Sequence, residues 1–267
     1  MINLLHFASM NLFSQAEIEQ KVILFLQASP KGVIEITGPT ASGKTGFSVF
    51  LAQWIEQKSG RKCEIISVDS RQIFRGCDIS SAKITAKETA GIPHHGLDLA
   101  DPTETYSVVQ FQQYAFEKIK EIQERGNIAL LCGGTMLWLD AVSENYIFTD
   151  DPDAKSTQRG TPLFPFLKIG MHWDREKLYE RLNLRSTQMF EGGMIEEAEK
   201  ILEQHISKSA LTSFGYQEIA TWKEGKITKE EALTLNQKRN RNYAKRQLTW
   251  WRGRDDILWI DAGNLQL

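Results

Sequence analysis

Gly38-Pro39-Thr40-Ala41-Ser42-Gly43-Lys44-Thr45 follows directly on the apolar run Val33–Thr37 and reads as a complete phosphate loop, G-x-x-x-x-G-K-T. A strand entering such a loop and a helix leaving it aim successive backbone N–H groups at one point, where the Lys44 ammonium adds its charge. The context is right on both sides, with a strand before the loop and an amphipathic stretch over 47–57 after it. A glycine-rich turn that bound nothing would leave Lys44 unexplained. Residues 38–45 are therefore expected to hold a di- or triphosphate.

Outward from the loop, short apolar runs alternate with helical patterns. Strands are expected at 33–37, 64–68, 128–132 and 166–171, with a weaker one at 257–260. Helices are expected at 15–27, 45–57, 107–125, 135–144, 175–190, 194–204 and 228–252. The pattern predicts an α/β fold: a mainly parallel sheet flanked by helices, P-loop NTPase-like, with long C-terminal helices. Ligands in such folds lie beyond the C-terminal ends of the strands. Three of those ends carry conspicuous residues, namely the phosphate loop, Asp69-Ser70-Arg71-Gln72 and Gly133-Gly134-Thr135. They should converge on one pocket. The chain divides into an N-terminal extension with a helix (1–32), a main domain (33–254) and a C-terminal strand and tail (255–267). Within the main domain, 143–165 is rich in Asp, Pro, Ser and Thr and reads as a surface connection.

The 267 residues are 41% hydrophobic, enough for a core, and carry a net charge of −2. No global pull toward nucleic acid exists, so any such affinity must come from a local patch. Cys63, Cys77 and Cys132 are widely spaced without a C-x-x-C pair, which suggests buried thiols in a reducing compartment. Residues 1–12 are apolar but lack a basic start and a small-residue cleavage site. No run reaches the roughly 20 residues of a membrane span. A cytoplasmic monomer is expected.

The motifs taken in series resemble the tRNA dimethylallyltransferase (tRNA isopentenyltransferase) family. After the phosphate loop come Asp69-Ser70-Arg71-Gln72-Ile73-Phe74-Arg75-Gly76-Cys77-Asp78-Ile79 with Ala82-Lys83, then Gly91-Ile92-Pro93-His94-His95 and Tyr106-Ser107-Val108 with Phe111. Gly133-Gly134-Thr135-Met136-Leu137-Trp138, Phe214-Gly215-Tyr216-Gln217-Glu218-Ile219 and Arg241-Asn242-Tyr243-Ala244-Lys245-Arg246-Gln247-Leu248-Thr249-Trp250 complete the set. The match covers about 33–254, which the resemblance makes a P-loop-type prenyltransferase domain. Family members usually carry a sizeable helical insertion after the Gly-Gly-Thr helix that grips the tRNA stem, and an Arg-rich segment for the anticodon loop. Only 143–165 stands there in this chain, a reduced insertion. Ser80-Ser81-Ala82-Lys83-Ile84 also replaces the usual Gly-Thr-Ala-Lys-Pro.

The resemblance implies transfer of a dimethylallyl group from dimethylallyl diphosphate to the exocyclic N6 of an adenine adjacent to the anticodon in tRNA, releasing diphosphate. Breaking the allylic bond leaves charge on diphosphate, which the site must neutralise while keeping water from a carbocation-like centre. Gly38, Pro39, Thr40, Ala41, Ser42, Gly43 and Lys44 would cradle the allylic diphosphate, and the Thr45 hydroxyl would ligate Mg²⁺ bridging its oxygens.

An adenine amine is a weak nucleophile, so a base must take its proton, and Asp69 is the candidate. An Asp that holds Mg²⁺ through water is the alternative geometry leaves open; the Asp-Ser-x-Gln context favours the base. Thr135 would cap its helix and donate to the diphosphate or the reacting centre. Ser70, Arg71 and Gln72 would border the adenine, the Gln72 amide being suited to a base edge.

Between 232 and 254 stand seven basic residues and no acidic one. Helical spacing puts Lys238, Arg241, Lys245 and Arg252 on one stripe and Arg239 and Arg246 on another. Arg241 is the first choice for the diphosphate and Arg246 the second, with Lys238 and Lys245 left to meet RNA phosphates. Tyr243, Trp250 and Trp251 interleave with these charges, as stacking platforms or core. His94 and His95 have no third ligand at metal spacing and read as structural or pocket-lining. Three other readings stay open: an adenylate isopentenyltransferase acting on AMP, ADP or ATP, a P-loop kinase or NTPase, and a degenerate RNA-binding protein.

Overall fold

The computed structural model describes residues 11–148, 158–204, 206, 207, 210 and 215–265. Most of the apolar start at 1–12, the middle of the 143–165 connection, Phe214 and the last two residues of the tail lie outside the described residues. In chain order the elements are β1 (Leu12–Phe13), α1 (Gln15–Ala28), β2 (Val33–Thr37), α2 (Lys44–Ser59), β3 (Cys63–Val68), β4 (His94–His95), α3 (Val108–Glu124) and β5 (Ile128–Gly133). They continue with α4 (Met136–Ser143), β6 (Tyr146–Ile147), β7 (Gln158–Arg159), β8 (Phe166–His172), α5 (Arg175–Glu191), α6 (Met194–Leu202), α7 (Tyr216–Lys223), α8 (Lys229–Trp251) and β9 (Ile257–Asp261).

Seven strands form one sheet in the order β1-β9-β8-β2-β5-β3-β4, every pair parallel. β2, β3 and β5 are buried at every position, as strands covered by helices on both faces must be. Val33, Ile66, Val68 and Leu131 pack with α3, α4, α6 and α7 on one face. Ile34, Ile36, Ile65 and Leu130 pack with α1 and α2 on the other. Reciprocal capping boxes start three of the helices, Ser14 with Glu17 for α1, Ser107 with Gln110 for α3 and Thr228 with Glu231 for α8.

The long strands and helices fall where the apolar periodicity puts them. β1, β4, β6 and β7 are two residues each, too short to carry a period, and α7 is eight residues with a weak one. β1 pairs with β9, so the extension and the last strand join one edge of the same sheet. Within the 143–165 connection, β6 and β7 pair antiparallel. Cys63, Cys77 and Cys132 are buried free thiols. Among the described residues, no helix is long and apolar enough to cross a membrane.

One residue breaks the apolar pattern of the central strand. Glu35 in β2 is 2% exposed and lies in register with Lys168 of β8. The Lys168 ammonium is already held by Glu144 and by Asp256 Oδ2 (2.8 Å), and Glu35 Oε2 has no hydrogen-bond partner among the described residues. Burial outweighs the attraction of Lys168 and pushes the Glu35 carboxyl up to about 7. An acid raised in the folded state contributes stability that is full below pH 4.5 and is lost as pH rises through about 7. Glu35→Gln should remove that dependence, worth on the order of 3 kcal/mol across the window. Melting temperatures of the two proteins should diverge between pH 4.5 and 7, and parallel curves would refute the assignment.

Candidate active site

The phosphate loop leaves β2 through Gly38, whose φ is +143° and whose added Cβ would lie 3.0 Å from the Met171 carbonyl oxygen. Only glycine fits there. Gly43 (φ +89°) precedes α2 and offers no side-chain cap, which leaves the first-turn N–H groups to an anion. The loop is braced from three directions. Trp173 Nε1 donates to Ser42 O (2.9 Å), Arg181 Nε donates to Ala41 O (3.0 Å), and Thr40 N donates to Gln247 Oε1 (2.8 Å). Lys44 Nζ meanwhile donates to Pro39 O at 2.8 Å.

Beside the loop, Val68 of β3 pairs with Gly133 of β5, and a Cβ at Gly133 would lie 2.1 Å from Val68 O. That close approach sets Asp69-Ser70 against Gly134-Thr135. Asp69 Oδ1 accepts from Arg71 N (2.9 Å), which orients the carboxylate. Thr135 Oγ1 accepts from Ser70 N (3.0 Å) and makes no capping bond to α4, so the expected helix cap is instead a tie between two strand ends.

Gln247 of α8, 1% exposed, completes the frame. Its Oε1 holds the phosphate loop at Thr40, and its Nε2 donates to Gly134 O at 2.7 Å. The sequence contained Gln247 within a motif but gave no sign of this double clamp, because its partners are 207 and 113 positions away.

These three strand ends open on one cavity of about 570 Å³. Its wall includes Thr40, Ala41, Lys44 and Thr45 from the loop, Asp69 to Gln72, Thr135, and Arg239, Tyr243, Arg246 and Gln247 from α8. Arg185 of α5 also lines it, and sequence reasoning missed this residue. Nothing in the mixed-charge run of α5 singles it out.

Arg241, expected at the diphosphate, is not in the wall. It lies on the other stripe of α8, where its Nη1 donates to Asn183 Oδ1 at 2.5 Å. Lys238 and Lys245 are exposed on α8. Lys238 borders a second, shallower cavity of about 380 Å³ that shares Arg239 and Arg246 with the first.

The charges in the main cavity act on one another. Burial lowers the Lys44 ammonium to about 8, while Cys132 and Asp69 pull it back up. Burial also lowers Arg185, again opposed by Asp69. Asp69 therefore acts on two cations that line the same cavity. Tyr243, pushed up to about 12 by burial and by the Asp69 charge, donates to Gly134 O at 3.3 Å and carries the Arg246 guanidinium 5.5 Å from its ring. Arg239 is held by Glu218 at 2.7 Å.

The floor of the cavity corrects one expectation about the base edge. The Gln72 amide is taken up by the protein: its Oε1 accepts from Ser67 Oγ (2.7 Å), and its Nε2 donates to Ser81 O (3.4 Å) and Ala82 O (3.2 Å). His94 lines the wall with Nδ1 on Ile92 O (2.8 Å), and its Nε2 is buried without a partner among the described residues, as is Nδ2 of Asn236, which also lines the cavity. His95 faces Glu64 (2.7 Å). Trp251 is core at 1% exposure, whereas Trp250 is 41% exposed and donates to Asp140 Oδ2 (2.7 Å). Among the described residues no three His, Cys, Asp or Glu are placed to hold a metal. The Thr45 hydroxyl and the Asp69 carboxylate face the same cavity, and such oxygen donors suit a hard divalent cation that a phosphate ligand helps to hold.

Comparison with known proteins points the same way. A profile of the IPP transferase family matches residues 72–162 and 149–254. The tRNA dimethylallyltransferase of Halalkalibacterium halodurans is 33% identical over 290 residues, covering 86% of this chain and 90% of the relative. That of an Exiguobacterium species is 34% identical over 287 residues with the same coverage. The crystal structure of the full-length tRNA isopentenylpyrophosphate transferase from Bacillus halodurans superposes with a TM-score of 0.76 at 33% identity, covering 87% of this chain and 90% of that one. The aligned 290 residues exceed the 267 of this chain although only 86% of it takes part, so the Halalkalibacterium protein carries residues without a counterpart here. The two profile matches meet within the 143–165 connection.

Proposed function

The chain belongs to the IPP transferase family, and on that premise we propose how its cavity carries out prenyl transfer. The protein is a prenyltransferase acting on tRNA. The observation that carries the residue-level reading is the shared cavity: a phosphate cradle with Lys44 and the Asp69 carboxylate line one space, and the Asp69 charge acts on Lys44.

Dimethylallyl diphosphate lies with its diphosphate on the loop 38–45, Lys44 and Arg185. Arg246 and Arg239 stand at the α8 side, where the RNA backbone enters. Mg²⁺ would be held by the Thr45 hydroxyl together with diphosphate oxygens, and it supplies charge neutralisation there. The N6 amine of an adenine next to the anticodon attacks the allylic C1. The N6–C1 bond forms as the C1–O bond breaks, the electron pair leaves with diphosphate, and the amine proton passes to Asp69. Thr135 and Gln247 hold the two sides of the cavity at a fixed separation. The base must be drawn out of its stack to reach this point, at a cost of a few kcal/mol. We further propose that the enzyme acts as a monomer in the cytoplasm, with its tRNA substrate.

Lys44 gives this reading a pH signature. Its ammonium attracts the diphosphate only while protonated, and burial has brought it to about 8. kcat/KM for dimethylallyl diphosphate should therefore fall as pH rises through about 8, since that ratio reports the free enzyme. In Lys44→Arg the alkaline limb should vanish. A wild-type profile that stays flat to pH 10 would exclude Lys44 as the charge in question.

The reading is tested with labelled dimethylallyl diphosphate and unmodified tRNA, digested to nucleosides and searched for prenylated adenosine, with AMP and ATP as parallel acceptors. Label on tRNA supports the assignment. Label on AMP alone would make the chain an adenylate isopentenyltransferase, and ATP hydrolysis without prenyl transfer would make it an NTPase.

A further inference from the structure

The segment between β3 and β4 forms the cavity wall at Ser80, Ser81 and Ala82, yet those residues belong to no helix or strand. What holds them is a carboxylate from a distant helix. Glu197 of α6 accepts from Asp78 N (2.7 Å) and Ile79 N (2.6 Å) on Oε2, and from Ser80 N (2.9 Å) on Oε1. The hydroxyl of Tyr216, which is fully buried at the start of α7, donates to the same Oε1 at 2.8 Å and accepts from Ser80 Oγ at 2.9 Å. Three consecutive backbone N–H groups converging on one anion form a nest, and here the anion belongs to the protein itself.

The clamp connects to the cavity interior through one more set of bonds. Ser81 O and Ala82 O, the carbonyls just beyond the nest, are the acceptors that fix the Gln72 amide. Ala82 adopts φ +49°, a left-handed conformation that a non-glycine residue keeps only where its neighbours hold it. Without the nest the wall would lose its tether to α6 and α7, and the Gln72 amide would keep its bond from Ser67 while the two acceptors of its Nε2 shifted. Asp69 stands three residues before Gln72, on the same turn.

We propose that Glu197 is a positioning residue for tRNA prenylation: through the nest at 78–80 it fixes the cavity wall at Ser80 to Ala82 and, through the carbonyls of Ser81 and Ala82, the Gln72 side chain, and this wall shapes the space that the target purine occupies. The inference rests on the functional reading above. Glu197 lies outside the residues lining the cavity, so it acts through the loop and touches neither substrate. Its hydrogen bonds run to the backbone of 78–80 and to Tyr216, so the clamp governs the acceptor wall and leaves the allylic diphosphate alone. Misplacing a reactant by about 1 Å costs on the order of 100-fold. Losses of that size are expected here in the acceptor parameters only.

The test is a double-mutant cycle on the full chain. Glu197→Gln keeps the size but turns an NH₂ group toward the donors, and its kcat/KM for tRNA should fall about 100-fold while the Kd for dimethylallyl diphosphate moves by no more than about twofold. In a Gln72→Ala background the same substitution should add little, because the amide it positions is gone. If Glu197→Gln does not fold, Glu197→Asp retracts the charge by one methylene and enters the same cycle. Unchanged tRNA kinetics, equal loss for both substrates, or additive effects with Gln72→Ala would each overturn the proposal. A wild-type enzyme that transfers nothing to tRNA would instead refute the functional reading.

Discussion

Asp69→Ala should lower the rate of prenyl transfer by about 100- to 10,000-fold, the range a well-placed general base supplies, while dimethylallyl diphosphate binds as well as before or better. The direction on binding follows from the charges. Asp69 lies close enough to Lys44 and Arg185 to affect both ionisations, so its carboxylate opposes an incoming diphosphate that the two cations attract. Removing it takes away a repulsion. The rate effect follows from the acceptor, since the N6 lone pair is spread into the purine ring and the amine attacks only as its proton departs. Arg71 N holds Asp69 Oδ1 at 2.9 Å, so the carboxylate is oriented before substrate arrives. Single-turnover transfer measured beside equilibrium binding separates the two effects. If the Mg²⁺-dependent affinity for diphosphate falls in step with the rate, Asp69 serves the metal and another group must take the proton.

How much of this was legible beforehand depends on the range of the signal. The phosphate loop is a local pattern of fixed residue types, and the strand ends after β3 and β5 follow from periodicity that any parallel sheet imposes. Those features located the cavity correctly because strand order in such a fold brings them together. The contacts that make it a site are long-range. Gln247 ties Thr40 to Gly134, Glu197 holds Asp78 to Ser80, and Trp173 and Arg181 brace Ala41 and Ser42. No spacing rule relates those positions, since each pair is set by how α5, α6 and α8 pack on the sheet. Thr135 shows the opposite error. Its position after two glycines is right for a cap, yet the close pairing of Val68 with Gly133 puts Ser70 N nearer, and the side chain turns there.

The basic helix misled in a more instructive way, and it supplies the second large effect. Arg185→Ala should cost about 100- to 1,000-fold in kcat with weaker binding of both dimethylallyl diphosphate and inorganic pyrophosphate, whereas Arg241→Ala should stay within a few-fold of wild type. Seven basic residues free of acids between 232 and 254 drew the choice toward Arg241. A helix, however, presents only one stripe to a given neighbour. Asn236, Arg239, Asn240, Tyr243, Arg246 and Gln247 recur at intervals of three and four, and this is the stripe that lines the cavity. Arg241 falls between them and faces α5, where Asn183 takes its hydrogen bond. Arg185 lines the cavity from α5, half-buried, with burial and the Asp69 charge acting on its guanidinium in opposite senses. A guanidinium stays charged even so, which makes it the dependable partner for charge developing on a leaving diphosphate once the more easily deprotonated Lys44 is partly desolvated. Inhibition by pyrophosphate, measured for both variants, reads the same interaction without turnover. A large loss in Arg241→Ala with Arg185→Ala near wild type would mean that α8 rotates when substrate binds and brings its other stripe to the diphosphate.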